Sequence, residues 1–184
     1  IAAGVTRDAA EKALGPRAAA APFAVGVLHT GLTLDPVKAP TDPAALLRAG
    51  MDYWALGHIH RRYANDESDP RIVFSGCIQG RDVRETGPRG VYVVTLAEQR
   101  PPALTFIPTA SVVWEQLEVD VSDCANIPAL VDKVMRELFA VNGTVSCEMM
   151  VSRITLTGSS GLHEVLGRPG VLDDVRSSVN DAYS

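Results

Sequence analysis

This 184-residue sequence predicts an α/β fold, a parallel-sheet unit followed by a smaller β-α-β unit, on three observations. Three short apolar runs, FAVGVL at 23–28, DYWAL at 52–56 and RIVF at 71–74, have strand length and little alternation, the pattern of strands covered on both faces. A short helical pattern stands between the first two runs, as a parallel crossover requires. After Trp114 the sequence changes to strict alternation and then to a long stripe of period three and four. The charge changes with it: residues 1–112 carry 12 basic and 11 acidic side chains, and residues 113–184 carry 5 and 11.

The elements follow in order. Thr6 caps a helix over 7–14, which Gly15-Pro16 ends. The 23–28 strand leads into a loop at 36–43, where Asp42 is the N-cap and Pro43 occupies the first helical position of a helix over 44–49, stopped by Gly50. The strands at 52–56 and 71–74 complete a βαβ arrangement, which places functional residues at the carboxyl ends of neighbouring parallel strands. VYVVTL from Val91, a break at Arg100-Pro101-Pro102 and then ALTFIP predict a hairpin on the rim of the same sheet.

In the second unit, residues 116–121 form a strand with Leu117, Val119 and Val121 on one face. Ser122 or Asp123 caps a helix whose Ile127, Leu130, Val131, Val134, Met135, Leu138 and Phe139 make one wide apolar stripe, a packing face. Asn142-Gly143 ends it, residues 147–156 form another strand, and a polar, weakly patterned tail follows. The predicted domains are therefore residues 1–112 and 113–184.

Composition narrows the function. With 46% hydrophobic and 21% charged residues the chain is neither disordered nor collagen-like. A net charge of −5 excludes a basic nucleic-acid arm, though not an active site that meets nucleic acid through a few arginines and bound metal. The Ala-rich start is interrupted by Arg7, Asp8, Glu11, Lys12 and Arg17, so it predicts neither a membrane span nor a signal peptide. Cys77, Cys124 and Cys147 show no C-x-x-C spacing, which points to a reducing, cytoplasmic setting without a disulfide framework. The chain opens on Ile1 inside a helical pattern, and the expectation is a piece of something longer.

Three of the 4 histidines follow predicted strand ends: His29 in LHT, and His58 and His60 in GHIH. In extended backbone, residues two apart point to the same side, so His58 and His60 can face one cavity, with Gly57 letting the chain turn. Imidazole suits zinc, manganese and iron, and the convergence of three makes a metal centre the expectation. His163 has no companions and is read as an ordinary histidine. The stretch SGCIQGRDVRETGPRG at 75–90 combines glycines with Arg81, Arg84 and Arg89, which suit phosphate oxygens, as do Arg61 and Arg62. The competing reading is a solvated, turn-rich connection in which Asp82 and Glu85 pair with the neighbouring arginines.

Taken together, LHTGL, DYWALGHIHRR and IVFSGCIQGRDVRETGPRG, in that order, resemble the later half of a calcineurin-like metallophosphoesterase. The branch is that of the DNA double-strand-break-repair exonucleases, the SbcD-like nuclease subunits. Residues 20–115 carry the resemblance, and residues 116–184 resemble that branch's capping domain more weakly. The resemblance implies the C-terminal half of an αββα sandwich followed by a small α+β capping domain. It implies a two-metal site, manganese by family habit, with His29 and His58 on one ion and His60 on the other. It also implies hydrolysis of DNA strands at duplex ends, dimers, and an SMC-like ATPase partner.

The departures matter equally. The family's Asp-x-His, Gly-Asp and Gly-Asn-His motifs, which supply the bridging carboxylate and the catalytic-acid histidine, are absent from these 184 residues. Three imidazoles alone leave the repulsion between two cations unopposed. The expectation is therefore the C-terminal portion of a nuclease, with no catalytic residue of its own, inactive alone and showing an exposed sheet edge or apolar face. Two alternatives stand beside it: a non-catalytic dimerisation or partner-docking module, and a mononuclear zinc hydrolase with three histidine ligands and an open fourth position.

Overall fold

The computed structural model describes residues 21–143 and 147–183. The helix expected over 7–14 lies outside them. The fold is mixed α/β, and the chain divides into two compact units, one of residues 1–79 with 89–110 and the other of residues 80–88 with 111–184.

In the first unit, β1 (Val25–His29), β2 (Tyr53–Gly57) and β4 (Ile72–Phe74) run parallel, and the short β3 (Tyr63–Ala64) pairs antiparallel with β4, giving the order β1-β2-β4-β3. Helix α1 (Pro43–Arg48) makes the crossover from β1 to β2. Its N-terminus is as expected: Pro43 opens the helix and the Asp42 carboxylate accepts from the Ala44 N–H at 3.1 Å. Gly50 follows at φ +72°, a conformation glycine adopts without penalty.

The core of this unit is Leu32, Leu46, Trp54, Leu56, Ile72 and Phe74. Trp54 is anchored by its indole N–H, which donates to the Leu46 carbonyl at 3.0 Å. Gly26 pairs in register with Trp54, and a Cβ there would stand 2.1 Å from the indole Cε3, so the close approach of β1 to β2 depends on glycine.

Two expectations for this unit need correction. The β1 strand is not covered on both faces, because Val25 is 52% and Val27 81% exposed. Among the described residues β1 is an edge strand, and the core lies only on the side of Gly26 and Leu28. An apolar run reports that a strand can be buried, not that both faces have a partner. The hairpin, β5 (Gly90–Thr95) with β6 (Ala103–Pro108), forms a two-stranded sheet of its own and not a rim of the parallel sheet. Turn signals specify which strands meet locally, not which sheet they join.

In the second unit β7 (Val112–Asp120) and β8 (Met149–Thr157) pair in parallel along their whole length, joined by helix α2 (Ile127–Asn142). Leu130, Val134, Met135 and Leu138 of α2 are buried against Val119 and Val121, as the stripe requires. Phe139, at its margin, is 54% exposed and stacks on Tyr183 with ring centroids 5.2 Å apart.

The cap of α2 is Asn126, whose side chain accepts from the Ala129 N–H at 2.9 Å. Ser122 and Asp123 are engaged elsewhere, Ser122 with Asp120 and Asp123 with Lys133. The polar, weakly patterned tail forms two helices, α3 (His163–Leu166) and α4 (Val171–Tyr183), and Val175 and Val179 join the core. Two valines four apart are too narrow a stripe to stand out in a polar sequence, yet they suffice once a core is there to receive them. Among the described residues no helix is long and apolar enough to cross a membrane.

Candidate metal centre

The parallel ladder brings two histidines together. His29 is the last residue of β1 and lies in register with Gly57, the last residue of β2. Gly57 leaves room for the imidazole, since a Cβ there would sit 3.3 Å from His29 Nδ1. His58 follows directly, and its ring meets that of His29 edge-on, with centroids 5.2 Å apart and planes inclined by 68°. Both imidazoles therefore stand at the carboxyl ends of adjacent parallel strands, where such folds build their sites.

The route to this pairing differs from the expected one. Residues 58–60 are not extended, because β2 ends at Gly57 and His58 adopts φ +116°. A residue with a Cβ is disfavoured there, so the backbone carries strain at the point where the imidazole is presented. Ile59 is tucked against the core of the first unit. His60 is exposed. The pKa of His29, itself an exposed residue, is lowered from its ordinary value, first by partial desolvation of the ring and next by the nearby His58. A neutral imidazole keeps the lone pair that a metal ion requires.

The backbone around His60 is firmly held. Its carbonyl accepts from the Cys77 N–H at 3.3 Å, the Cys77 thiol at 3.5 Å and Arg89 Nη1 at 2.5 Å. Gly76, at φ +84°, lets the 75–77 turn close on this carbonyl, which a Cβ would approach to 2.8 Å. A ring nitrogen of His60 and the Cys77 sulfur lie within 4.8 Å of one another.

One carboxylate emerges that the sequence reading overlooked. Asp35 Oδ2 lies 2.9 Å from His58 Nε2. Its other oxygen accepts from the Val37 and Lys38 N–H groups at 3.2 and 3.1 Å, and the His58 contact above all holds its pKa below the usual carboxylate range. The loop that carries Asp35 is closed by the buried Thr30 hydroxyl, which donates to the Ala39 carbonyl at 2.7 Å and receives the Leu32 N–H at 3.1 Å, with Thr41 Oγ1 at 2.9 Å. The only sequence signal for this role is an acidic residue six positions beyond His29 in a short loop, which local pattern does not distinguish from a turn former.

The arginines have varied surroundings. Arg62 lies over the Phe106 ring at 4.1 Å, and Arg89 contacts the His60 carbonyl. Arg84 is paired with Asp82 through Nη2 at 2.9 Å and Nε at 3.2 Å, and Arg81 donates its N–H to Glu85. Arg61, Arg62, Arg81 and Arg84 are exposed, and Arg89 is partly buried. Arg61, Arg62 and Arg89 belong to the first unit, Arg81 and Arg84 to the second. His163 is exposed at the start of α3.

Residues 114–184 match a metallophosphoesterase domain family. That family is described as the middle domain of metallophosphoesterase YhaO, and the match covers β7 and everything after it except its first two residues. The chain is also 36% identical over 121 residues to a protein of Bacillus subtilis (strain 168) described as the uncharacterized metallophosphoesterase YhaO. That alignment takes in 64% of this chain and 29% of the Bacillus protein, so the chain spans less than a third of the relative's length. Both likenesses are to metallophosphoesterases, one over the second unit and one over part of a longer relative.

Proposed function

We propose that these residues are the later part of the catalytic domain, with its capping domain, of a metal-dependent phosphodiesterase acting on DNA ends. The observation that carries this reading is the meeting of His29 and His58 at the carboxyl ends of adjacent parallel strands, with Asp35 bound to His58. Imidazole and carboxylate donors of this kind suit manganese, iron or zinc.

His29 and His58 would hold one ion and His60 a second, manganese in both places by the resemblance. Bound ions supply Lewis-acid stabilisation of a phosphodiester and lower the pKa of coordinated water. The protein's own part is to fix the imidazoles on strand ends and to keep His58 oriented. Arg61, Arg62, Arg81, Arg84 and Arg89 are the proposed phosphate contacts; of these, all but the partly buried Arg89 are exposed. The resemblance further supports exonuclease action, a role in DNA repair, and assembly as dimers with an SMC-like ATPase; the cysteine usage supports a cytoplasmic location.

Because no bridging carboxylate from Asp-x-His or Gly-Asp motifs is present in the 184 residues, we assign hydrolysis to the parent protein and none to these residues alone. The sequence encoded upstream of Ile1 tests this directly, since a reading frame lacking those motifs would sink it. In the intact gene product, His58→Ala should abolish manganese-dependent degradation of linear duplex DNA while leaving the circular dichroism spectrum unchanged. Retained activity would remove His58 from the ligand set, and equal activity on closed circular DNA would overturn the exonuclease assignment.

A further inference from the structure

We infer that Asp35 is a positioning residue, which fixes His58 as the Nε2–H tautomer and leaves Nδ1 as the lone pair offered to a metal ion. That last clause rests on His58 being a ligand, as proposed above. The inference starts from donor chemistry. A carboxylate only accepts, so the proton in the 2.9 Å contact between His58 Nε2 and Asp35 Oδ2 must sit on Nε2. A neutral imidazole then has its one free lone pair on Nδ1.

The geometry makes this selection firm. The Asp35 carboxylate is fixed independently of His58, since Oδ1 already accepts from Val37 and Lys38. The Asp35 N–H donates to the Gly31 carbonyl at 2.9 Å, and Gly31 N–H donates to Ala39 at 3.2 Å, closing the loop on itself. Nothing larger than glycine fits at 31, because a Cβ would stand 2.3 Å from the Asp35 carbonyl oxygen. His58, by contrast, sits at φ +116°, a backbone state that needs external support. A rigid acceptor facing a strained donor residue sets the ring before any metal arrives. Outer partners of this kind are general at histidine ligands and are worth about 10- to 100-fold in metal affinity.

The test uses the 15N-labelled chain without metal at a pH where histidine is neutral. Long-range proton–nitrogen spectra should show His58 as a single Nε2–H tautomer. Asp35→Ser keeps a short acceptor for the turn N–H groups but is too short to reach the ring, and it should give a mixture of tautomers. Asp35→Asn keeps its one oxygen on the Val37 and Lys38 N–H groups and turns its NH2 toward Nε2, so it should move His58 to the Nδ1–H tautomer. A His58 spectrum unchanged in D35S, or a wild-type ring in the Nδ1–H form, overturns the inference.

Titration with Zn2+ alone, followed by calorimetry, is the second reading: D35S should bind about 10- to 100-fold more weakly than the wild type. Equal affinities would overturn the positioning role. A wild type whose tautomer depends on Asp35 but which binds no Zn2+ would instead overturn His58 as a ligand, so the two failures are distinct.

Discussion

Thr30→Val removes one buried hydroxyl with almost no change of shape, and the consequence can be worked from its contacts. Thr30 and Thr41 are 1% and 2% exposed, and the Thr30 oxygen serves the Ala39 carbonyl, the Thr41 hydroxyl and the Leu32 N–H. The Ala39 carbonyl keeps a second donor, Gly31 N–H, so it is not orphaned. The Leu32 N–H and the Thr41 hydroxyl each lose this partner, and leaving a buried polar group unmet costs about 1–3 kcal/mol. We expect a loss of about 3 kcal/mol in the first unit after the small gain from the added methyl. With a urea slope of about 2 kcal/mol per molar, the unfolding midpoint falls by about 1.5 M.

The assay is urea denaturation followed by the fluorescence of Trp54, with Trp114→Phe as background so that only the first unit reports. Thr30→Ser, which keeps the hydroxyl, should lose only about 1 kcal/mol for the missing methyl. A midpoint for Thr30→Val within about 0.3 M of the wild type would refute the assignment of this loop's rigidity to the hydroxyl. Since the loop carries Asp35, the His58 ring signals should broaden in the same variant.

Two further outcomes are expected. Gly26→Ala should destabilise the first unit by about 3 kcal/mol, the upper part of the usual overpacking range, because its Cβ would enter the Trp54 ring and break the indole bond to Leu46; an unshifted Trp54 emission spectrum would contradict this. Asp82 is held by Arg84 at a pKa of about 2, below its ordinary 3.8, so its stabilisation is complete above the ordinary value and is lost as pH falls through this window. The difference in Tm between wild type and Asp82→Asn should therefore shrink between those two pH values, and a constant difference by calorimetry would be inconsistent with the ion pair.

Much of the local structure was legible in the sequence because its causes are local. Asp42-Pro43 starts α1 through a side-chain cap and a preset φ, and the stripe from Leu130 to Leu138 buries one helix face wherever a core is available. Where the sequence misled, a distant partner decided. Val25 and Val27 form a strand as expected, but whether they are covered depends on what lies beside β1. Asn126 caps α2 because Ser122 and Asp123 are bound to Asp120 and Lys133, a competition that no spacing rule reports.

The histidines divide along the same line. Residue type and position after strand ends already pointed to His29, His58 and His60 as candidate ligands, since imidazole chemistry and strand boundaries are properties of short segments. Only the tertiary structure decided how they meet. The parallel register sets His29 beside Gly57, the strained turn at His58 replaces the extended geometry expected for His58 and His60, and Asp35 reaches His58 across 23 positions of chain. Such contacts depend on how a loop closes in space, and the hydroxyl, glycine and carboxylate that close this one carry no periodic signature.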